Sequence, residues 1–320
     1  MHALIGAVLA LAATAAVAQA DYPSKPIRFI VPIAAGSVTD VVLRAASQEL
    51  GPKLGQQLVI DNRGGASGII GAEACARAVP DGYTICAVYH SIMSFNPLTH
   101  AQLPYDPQRD FAPVTNLYFV TEALMVTGGL PVGSVAELRG YAQGKPAALN
   151  FGTLGEGSLQ ELLLAWLNRE WGVAIAGIPY KGGGPIATAL TAGEIQLAQM
   201  GVGNFLGAIQ GGKVRALAVS AGQRSRALPD VPTMAEAGLG GFHSRPWWGL
   251  AVPAGTPTPV VARLNAEFTT LFRDPKFVEF LESRFTEPAP GTPAEFASFL
   301  KADGEAAGAL VQLARQGRPR

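Results

Sequence analysis

Ile27-Arg28-Phe29-Ile30-Val31-Pro32 is a run of β-branched and aromatic residues that stops at a proline and passes into Ala34-Ala35-Gly36-Ser37. It reads as a strand feeding a small-residue turn, because proline has no N–H to give a ladder and glycine turns without steric cost. Val41, Val42, Ala45, Leu50 and Leu54 then keep a broadly helical spacing, and Gln57-Leu58-Val59-Ile60-Asp61 reads as a second strand. The unit is strand, helix, strand. The alternation recurs around 83–89, 149–152, 174–179, 195–199 and 216–220, short apolar runs mostly separated by helical stretches. This spacing predicts an α/β fold with mainly parallel sheets and helices on both faces. Ser134-Val135-Ala136-Glu137 and Thr292-Pro293-Ala294-Glu295 are capping boxes that mark helix starts. Val260, Leu264, Phe268, Leu271 and Phe272 form one apolar stripe, and Asp274-Pro275 opens a further helix with Phe277, Phe280 and Leu281 inward.

With 320 residues, 48% of them hydrophobic and 15% charged, the chain has material for two domains. Two sheets predict two lobes with a ligand cleft between them. The balance of 24 basic and 24 acidic residues provides no field that would draw it onto nucleic acid or anionic lipid. Residues 1–20 are an Ala/Leu/Val run closing on Ala18-Gln19-Ala20, the small-x-small pattern of a signal-peptidase site, although no Lys or Arg precedes the run. A signal peptide over 1–20, a mature start at Asp21 and a periplasmic location are therefore expected. Beyond Asp21 no stretch is long and apolar enough to span a bilayer, and the tail 317–320 is expected to fray. Cys75 falls on a helical run and Cys86 in a strand; the reading favours two small buried hydrophobes over a disulfide, which an oxidising compartment would nonetheless permit.

The familiar catalytic signatures are missing: no G-x-S-x-G, H-E-x-x-H, C-x-x-C or phosphate-binding loop is present, and Ala66 interrupts the nearest approach to a dinucleotide fingerprint. His2, His90, His100 and His243 show no ligand spacing, so no metal and no cofactor are expected. Ser158 beside Glu156 and Glu161 lacks an imidazole partner and reads as a helix N-cap. Four Gly/Ser/Thr loops remain, 34–39, 64–68, 153–158 and 181–185, each after a strand and before a helix. Such loops present unpaired N–H groups and the positive end of a helix dipole, which together make an anion site. None of the four contains arginine, so a carboxylate would be held by neutral donors. The alternative is that they are merely tight turns.

Tyr22-Pro23-Ser24-Lys25-Pro26, Asn62-Arg63, Pro80-Asp81-Gly82-Tyr83-Thr84, Leu103-Pro104-Tyr105-Asp106-Pro107, Pro179-Tyr180-Lys181-Gly182, Leu228-Pro229-Asp230-Val231-Pro232-Thr233 and Trp247-Trp248-Gly249-Leu250 occur in an order that resembles the extracytoplasmic receptors of tripartite tricarboxylate transporters, the Bug family. The resemblance covers essentially the whole mature chain. It implies a two-lobed periplasmic-binding-protein (Venus-flytrap) fold, with lobe one at 21–122 plus 248–320 and lobe two at 123–247. The chain would cross near residues 121–126 and return near 243–248. It also implies a ligand carboxylate held in lobe one by Ala34, Ala35, Gly36, Ser37 and Asp40 and by Ser67 and Gly68, and in lobe two by Thr153, Ser158, Gly182 and Gly183. Departures from the family pattern are Ser37 and Ser67 where glycine is usual, Glu161 where histidine is frequent, and Val88-Tyr89, followed by His90, in place of a Gly-Thr pair. Tyr89 and His90 either wall the ligand or pack as core.

The expected function is therefore capture of a small organic acid by a monomeric receptor that hands it to a membrane permease or, alternatively, to a sensor. An enzyme on the same scaffold would have to use Lys181 or His90. Met200-Gly201 stands where many relatives carry an Asp-Asn pair, and Met200, with Tyr89 and Trp247 nearby, suits an apolar or aromatic body behind the carboxylate. A cleft without a carboxylate would leave a ligand ammonium uncompensated, so a non-amino acid, aromatic or dicarboxylic, is expected.

Overall fold

The computed structural model describes residues 22–145, 149–225, 228–242 and 245–315. The expected signal peptide at 1–20, the start at Asp21, the residues His2 and His243, and the tail 317–320 lie outside the described residues. In chain order the strands are β1 (Ile27–Val31), β2 (Leu58–Asn62), β3 (Thr84–Tyr89), β4 (Phe111–Val120), β5 (Glu122–Thr127), β6 (Asn150–Thr153), β7 (Ala176–Pro179), β8 (Leu197–Gly201), β9 (Val214–Val219), β10 (Trp247–Pro253) and β11 (Thr286–Pro288). The helices are α1 (Val38–Leu54), α2 (Ile69–Ala76), α3 (Asn96–Thr99), α4 (Val135–Gly144), α5 (Leu159–Trp171), α6 (Gly183–Ala192), α7 (Leu206–Gln210), α8 (Thr258–Arg273), α9 (Pro275–Ser283) and α10 (Pro293–Arg315).

Two sheets result, ordered β11-β4-β10-β3-β1-β2 and β7-β6-β8-β5-β9. The α/β two-lobed class is as expected, but the sheets are mixed rather than mainly parallel. β1 runs parallel to β2 and β3, and β6 runs parallel to β7 and β8. β10 is antiparallel to β3 and β4, β11 to β4, and β5 to both β8 and β9. The cause is the chain path. β4 ends at the seam between the sheets, so β5, one residue later, must start there and run away from it. β10 does the same on the return from β9. Local apolar patterning does not reveal this direction, because a strand buried on both faces looks alike whichever way it runs.

The core follows the sequence periodicities closely. Val260, Leu264, Phe268, Leu271 and Phe272 of α8 are all buried, with Phe268 edge-on to Phe29 of β1 at 6.0 Å between ring centroids. Phe277 and Leu281 of α9 are buried as well, and Phe280 partly. On α1 the buried face is Val42, Leu43, Ala46, Leu50 and Leu54, whereas Val41 is exposed, one step off the expected stripe. Thr292 and Glu295 form the complete reciprocal capping box; at Ser134 the hydroxyl accepts the Glu137 N–H, but the Glu137 carboxylate reaches back to the Gly133 N–H at 2.6 Å. α10 straps the two halves together, since Phe296 packs in the core of the first sheet while Ala307, Leu310, Val311 and Ala314 pack in that of the second.

The reading of Cys75 and Cys86 as separate buried thiols is corrected: they form a disulfide with Cα atoms 6.2 Å apart. Both residues are buried, as expected. What periodicity misses is that α2 lies on β3 with these two inward positions face to face. The bond closes a loop of sequence separation 11, worth roughly 3 kcal/mol by chain entropy. Replacing both cysteines with alanine should therefore lower the unfolding free energy by about 3 kcal/mol in denaturant titration, and reductant should reproduce the loss. An unchanged midpoint would show that the bridge does not form in solution.

Candidate functional site

A cavity lies where the strand ends of the two sheets meet. Ser37 and Thr39 from the start of α1, Tyr89 and His90 from the end of β3, and Met200 from β8 are among the residues lining it. It encloses about 30 Å3, against the roughly 300 Å3 or more of an ordinary small-molecule site. The two halves are shut on one another and must part to admit a ligand. The Ala34 N–H donates to the Lys181 carbonyl at 3.2 Å, and the Val38 N–H to Asn204 Oδ1 at 2.8 Å.

The first loop is organised by its own helix. Ser37 caps α1, its hydroxyl accepting the Asp40 N–H, and Asp40 folds back so that Oδ2 accepts the Gly36 N–H at 2.9 Å. Arg44 and Asn62 donate to the same carboxylate. Burial pushes the Asp40 carboxyl up, but the hydrogen bonds from Arg44, Gly36 and Asn62 outweigh it and hold the group below the usual carboxylate range. Asp40 therefore fixes the loop from beneath. Ala35 and Gly36 are exposed and Ala34 is half-buried, while Ser37 and Thr39, whose N–H groups have no acceptor among the described residues, line the cavity.

The second loop carries strain. Ala66 and Ser67 have φ of 47° and 51°, a left-handed conformation that favours glycine. Ser67 uses its hydroxyl across the seam, within reach of the Leu154 and Gly155 carbonyls and at 2.7 Å from that of Glu156. Its place in the structure is thus a latch between the halves. Gly68, φ 84°, has the Tyr89 ring so close that a Cβ would lie 2.8 Å from it. Tyr89 stacks on Trp248 at 4.5 Å and meets His90 edge-on at 5.2 Å. Both residues are buried against the first core and line the cavity as well. Burial pushes the His90 imidazole down to about 3, opposed by a hydrogen bond with the Trp247 backbone, so it is neutral at physiological pH.

On the other side Gly183 and Met200 line the cavity, and a Cβ on Gly183 would sit 3.0 Å from the Met200 methyl. Gly182 is buried behind Ala34. Thr153 and Ser158 are fully buried and outside the lining: the Thr153 hydroxyl donates to Glu161 at 2.7 Å, and the Ser158 hydroxyl caps α5 by accepting the Glu161 N–H. Trp247 is turned the opposite way, into Phe296 and Phe299, and Trp248 is the residue facing the cavity. Side chains alternate across a strand, so a one-residue error moves a side chain to the other face. Lys181 is exposed.

Among the polar lining residues that escaped the sequence reading are Gln160, Asn204 and Glu122. Gln160 and Asn204 sit two or three residues beyond the loop residues that were singled out, and a helical-face argument from Ser158 would have reached Gln160. Glu122 is the consequential one. The expectation of a cleft without a carboxylate is corrected, because the acidic group lies not after β8 but on the crossing strand β5, opposite Gly201. Glu122 is buried, with Oε2 accepting from Gln199 Nε2 at 3.0 Å.

Ser67→Gly separates strain from latch. It should raise the unfolding free energy by about 1 kcal/mol by relieving the left-handed residue, while the lost cross-seam bonds shift the ensemble towards an open form with a larger radius of gyration in solution scattering. A lower stability at unchanged radius would sink the latch.

The sequence matches the tripartite tricarboxylate transporter family receptor over residues 42–315. It is 33% identical over 300 residues to protein BugT of Bordetella pertussis, covering 93% of this chain and 92% of that one. The structure of R. palustris Rpa4515 with adipate aligns at TM-score 0.87 and 33% identity, over 92% of this chain and 98% of the other. MatC from Rhodopseudomonas palustris with bound malate aligns at 0.85 and 31%, over 91% and 100%. The family is one of periplasmic substrate-binding receptors and not of enzymes. A match over most of the length, on two sheets with a cavity at their shared seam, shows that the chain belongs to the tripartite tricarboxylate transporter receptor family.

Proposed function

We propose that this chain is a periplasmic receptor that closes two lobes over one small organic acid and delivers it to a tripartite tricarboxylate-type permease. We take the lobes as 21–122 with 248–320, and 123–247, bounds within a residue of where the chain leaves the first sheet, between Val120 and Glu122, and re-enters it at Trp247, with the end of α10 packed on the second core. One chain completes the cavity, so the receptor is taken as a monomer. The observation that carries the reading is the cavity wall. Ser37 and Thr39 at the start of a 17-residue helix line it from one lobe, α6 begins at it from the other, and no Lys or Arg is among its lining residues. Neutral donors at helix N-termini suit a carboxylate. Adipate and malate in the related structures support this class. Met200 and the Tyr89–Trp248 stack favour an apolar or aromatic body behind the carboxylate, and we take the ligand as an aromatic or dicarboxylic acid; with Glu122 in the lining, the ground for excluding an amino group no longer holds.

A thermal-shift screen with adipate, malate, succinate and benzoate should find at least one acid that raises the midpoint by mass action. Scattering at saturation with that acid should show a smaller radius than the free protein. Saturable binding with no change in radius would count against closure. Loss of uptake of the acid on deleting the receptor supports delivery to a permease, whereas retained uptake points to a sensor.

A further inference from the structure

The sequence expectation put no acid where a ligand ammonium would need one, yet Glu122 lines the cavity, at the point where the chain crosses between the lobes. We propose that Glu122 reads the ligand in its protonated form, donating its O–H to a carboxylate oxygen of the bound acid, so that each binding event takes one proton from solvent. This rests on the receptor reading above and deepens it.

The geometry is asymmetric. Gln199 Nε2 occupies Oε2 of Glu122, while Oε1 accepts no hydrogen bond among the described residues, and the side chain lines the cavity. The neighbourhood offers the carboxyl no counter-charge from any side. β3 contributes Tyr89 and His90, the latter neutral; β8 contributes Gln199 and Met200; β9 leads into Ser220, whose hydroxyl accepts the Glu122 N–H. α1 presents Ser37 and Thr39, α5 presents Gln160, and the turn after β8 presents Asn204. Tyr89, His90 and Glu122 are thus the titratable side chains of the lining, and none is cationic there. An ionised Glu122 shut in with a ligand carboxylate would place two like charges in a medium of low dielectric with nothing to compensate them. A proton on Glu122 removes the repulsion and supplies a hydrogen-bond donor in its place.

The direction of the titration agrees. In the shut form burial pushes the Glu122 carboxyl from 4.5 up to about 8, against the opposing Gln199 hydrogen bond. Parting the lobes wets the group and returns it towards the ordinary range. Closure on an acid therefore takes up a proton between these limits, and affinity is fully present at low pH and falls as pH rises. The slope is about tenfold in Kd per pH unit between about pH 5 and 8.

The test is calorimetric titration of adipate, with malate and benzoate alongside, into the full mature chain. Kd is followed from pH 5.5 to 8.5, and the heat at pH 7 is compared between phosphate and Tris, whose ionisation enthalpies differ. The wild-type protein should take up about one proton per ligand and lose affinity about tenfold per unit of pH. Glu122→Gln, which keeps a donor but cannot titrate, should bind the same acid with no proton uptake and a flat profile. If the variant does not fold, the wild-type proton count alone decides. Saturating binding with no proton uptake and no pH dependence overturns the role of Glu122 while leaving the receptor reading intact. Tighter binding of aspartate than of succinate, lost in Glu122→Gln, overturns it as well, since Glu122 would then be an ionised partner for an ammonium. Failure of every acid to saturate sinks the receptor reading, and this one with it.

Discussion

The first N–H groups of a helix have no partner within it, and at the start of α1 the protein distributes that shortage among three recipients. Ser37 Oγ takes the Asp40 N–H, and Asn204 of the opposite half takes that of Val38. The Ser37 and Thr39 groups are left at the cavity. Closure and ligand capture therefore draw on neighbouring donors of one helix end. A ligand anion does not need a cation brought to it, because the donors are already aimed and desolvated when the halves shut. Asp40, buried and held ionised by Arg44 and Asn62, keeps the turn in the conformation that aims them.

The direction of two strands follows from the same meeting of strand ends. Because β4 arrives at the seam, β5 has to leave from it, and the first residue of β5 is placed at the cavity by topology rather than by any loop. That residue is Glu122. Hydrogen bonds concentrate there: the Val120 N–H donates to Pro246, the Thr121 N–H to Phe285 and the Val202 N–H to Thr121. α10 adds a second tie by packing on both cores. At Thr121 the halves are joined by a short crossing with satisfied backbone, which is what a hinge requires if it is to bend without unfolding.

Much of the fold was legible because its determinants are local. The α8 stripe, the caps at Ser134, Ser158 and Thr292, and the strand from Ile27 to Val31 followed by a turn each rest on periodicity, a missing donor or a side-chain oxygen within four residues. The loops were legible for the same reason, and so was the type of site. Within them the assignment was uneven. Ser67 was identified as a departure at a glycine position, yet its hydroxyl is turned to carbonyls of the opposite half, a partner some ninety positions away that no local rule proposes. Ser158 and Thr153 were assigned to the ligand, and both spend their hydroxyls on Glu161.

The sequence by itself determined the class of fold, the segments that carry it, the family and the loops that ring the site, since each is written in short-range pattern. Tertiary structure alone decided which members of those loops face inward. It set Trp248 in place of Trp247 at the cavity, joined Cys75 to Cys86, reversed β5 and β10, and brought the carboxyl of Glu122 to a cleft that appeared to have none. The physical reason is common to all four. Each depends on which residues distant in the chain lie against each other, and burial, strand direction and the dielectric around a charge are properties of that arrangement rather than of the residue.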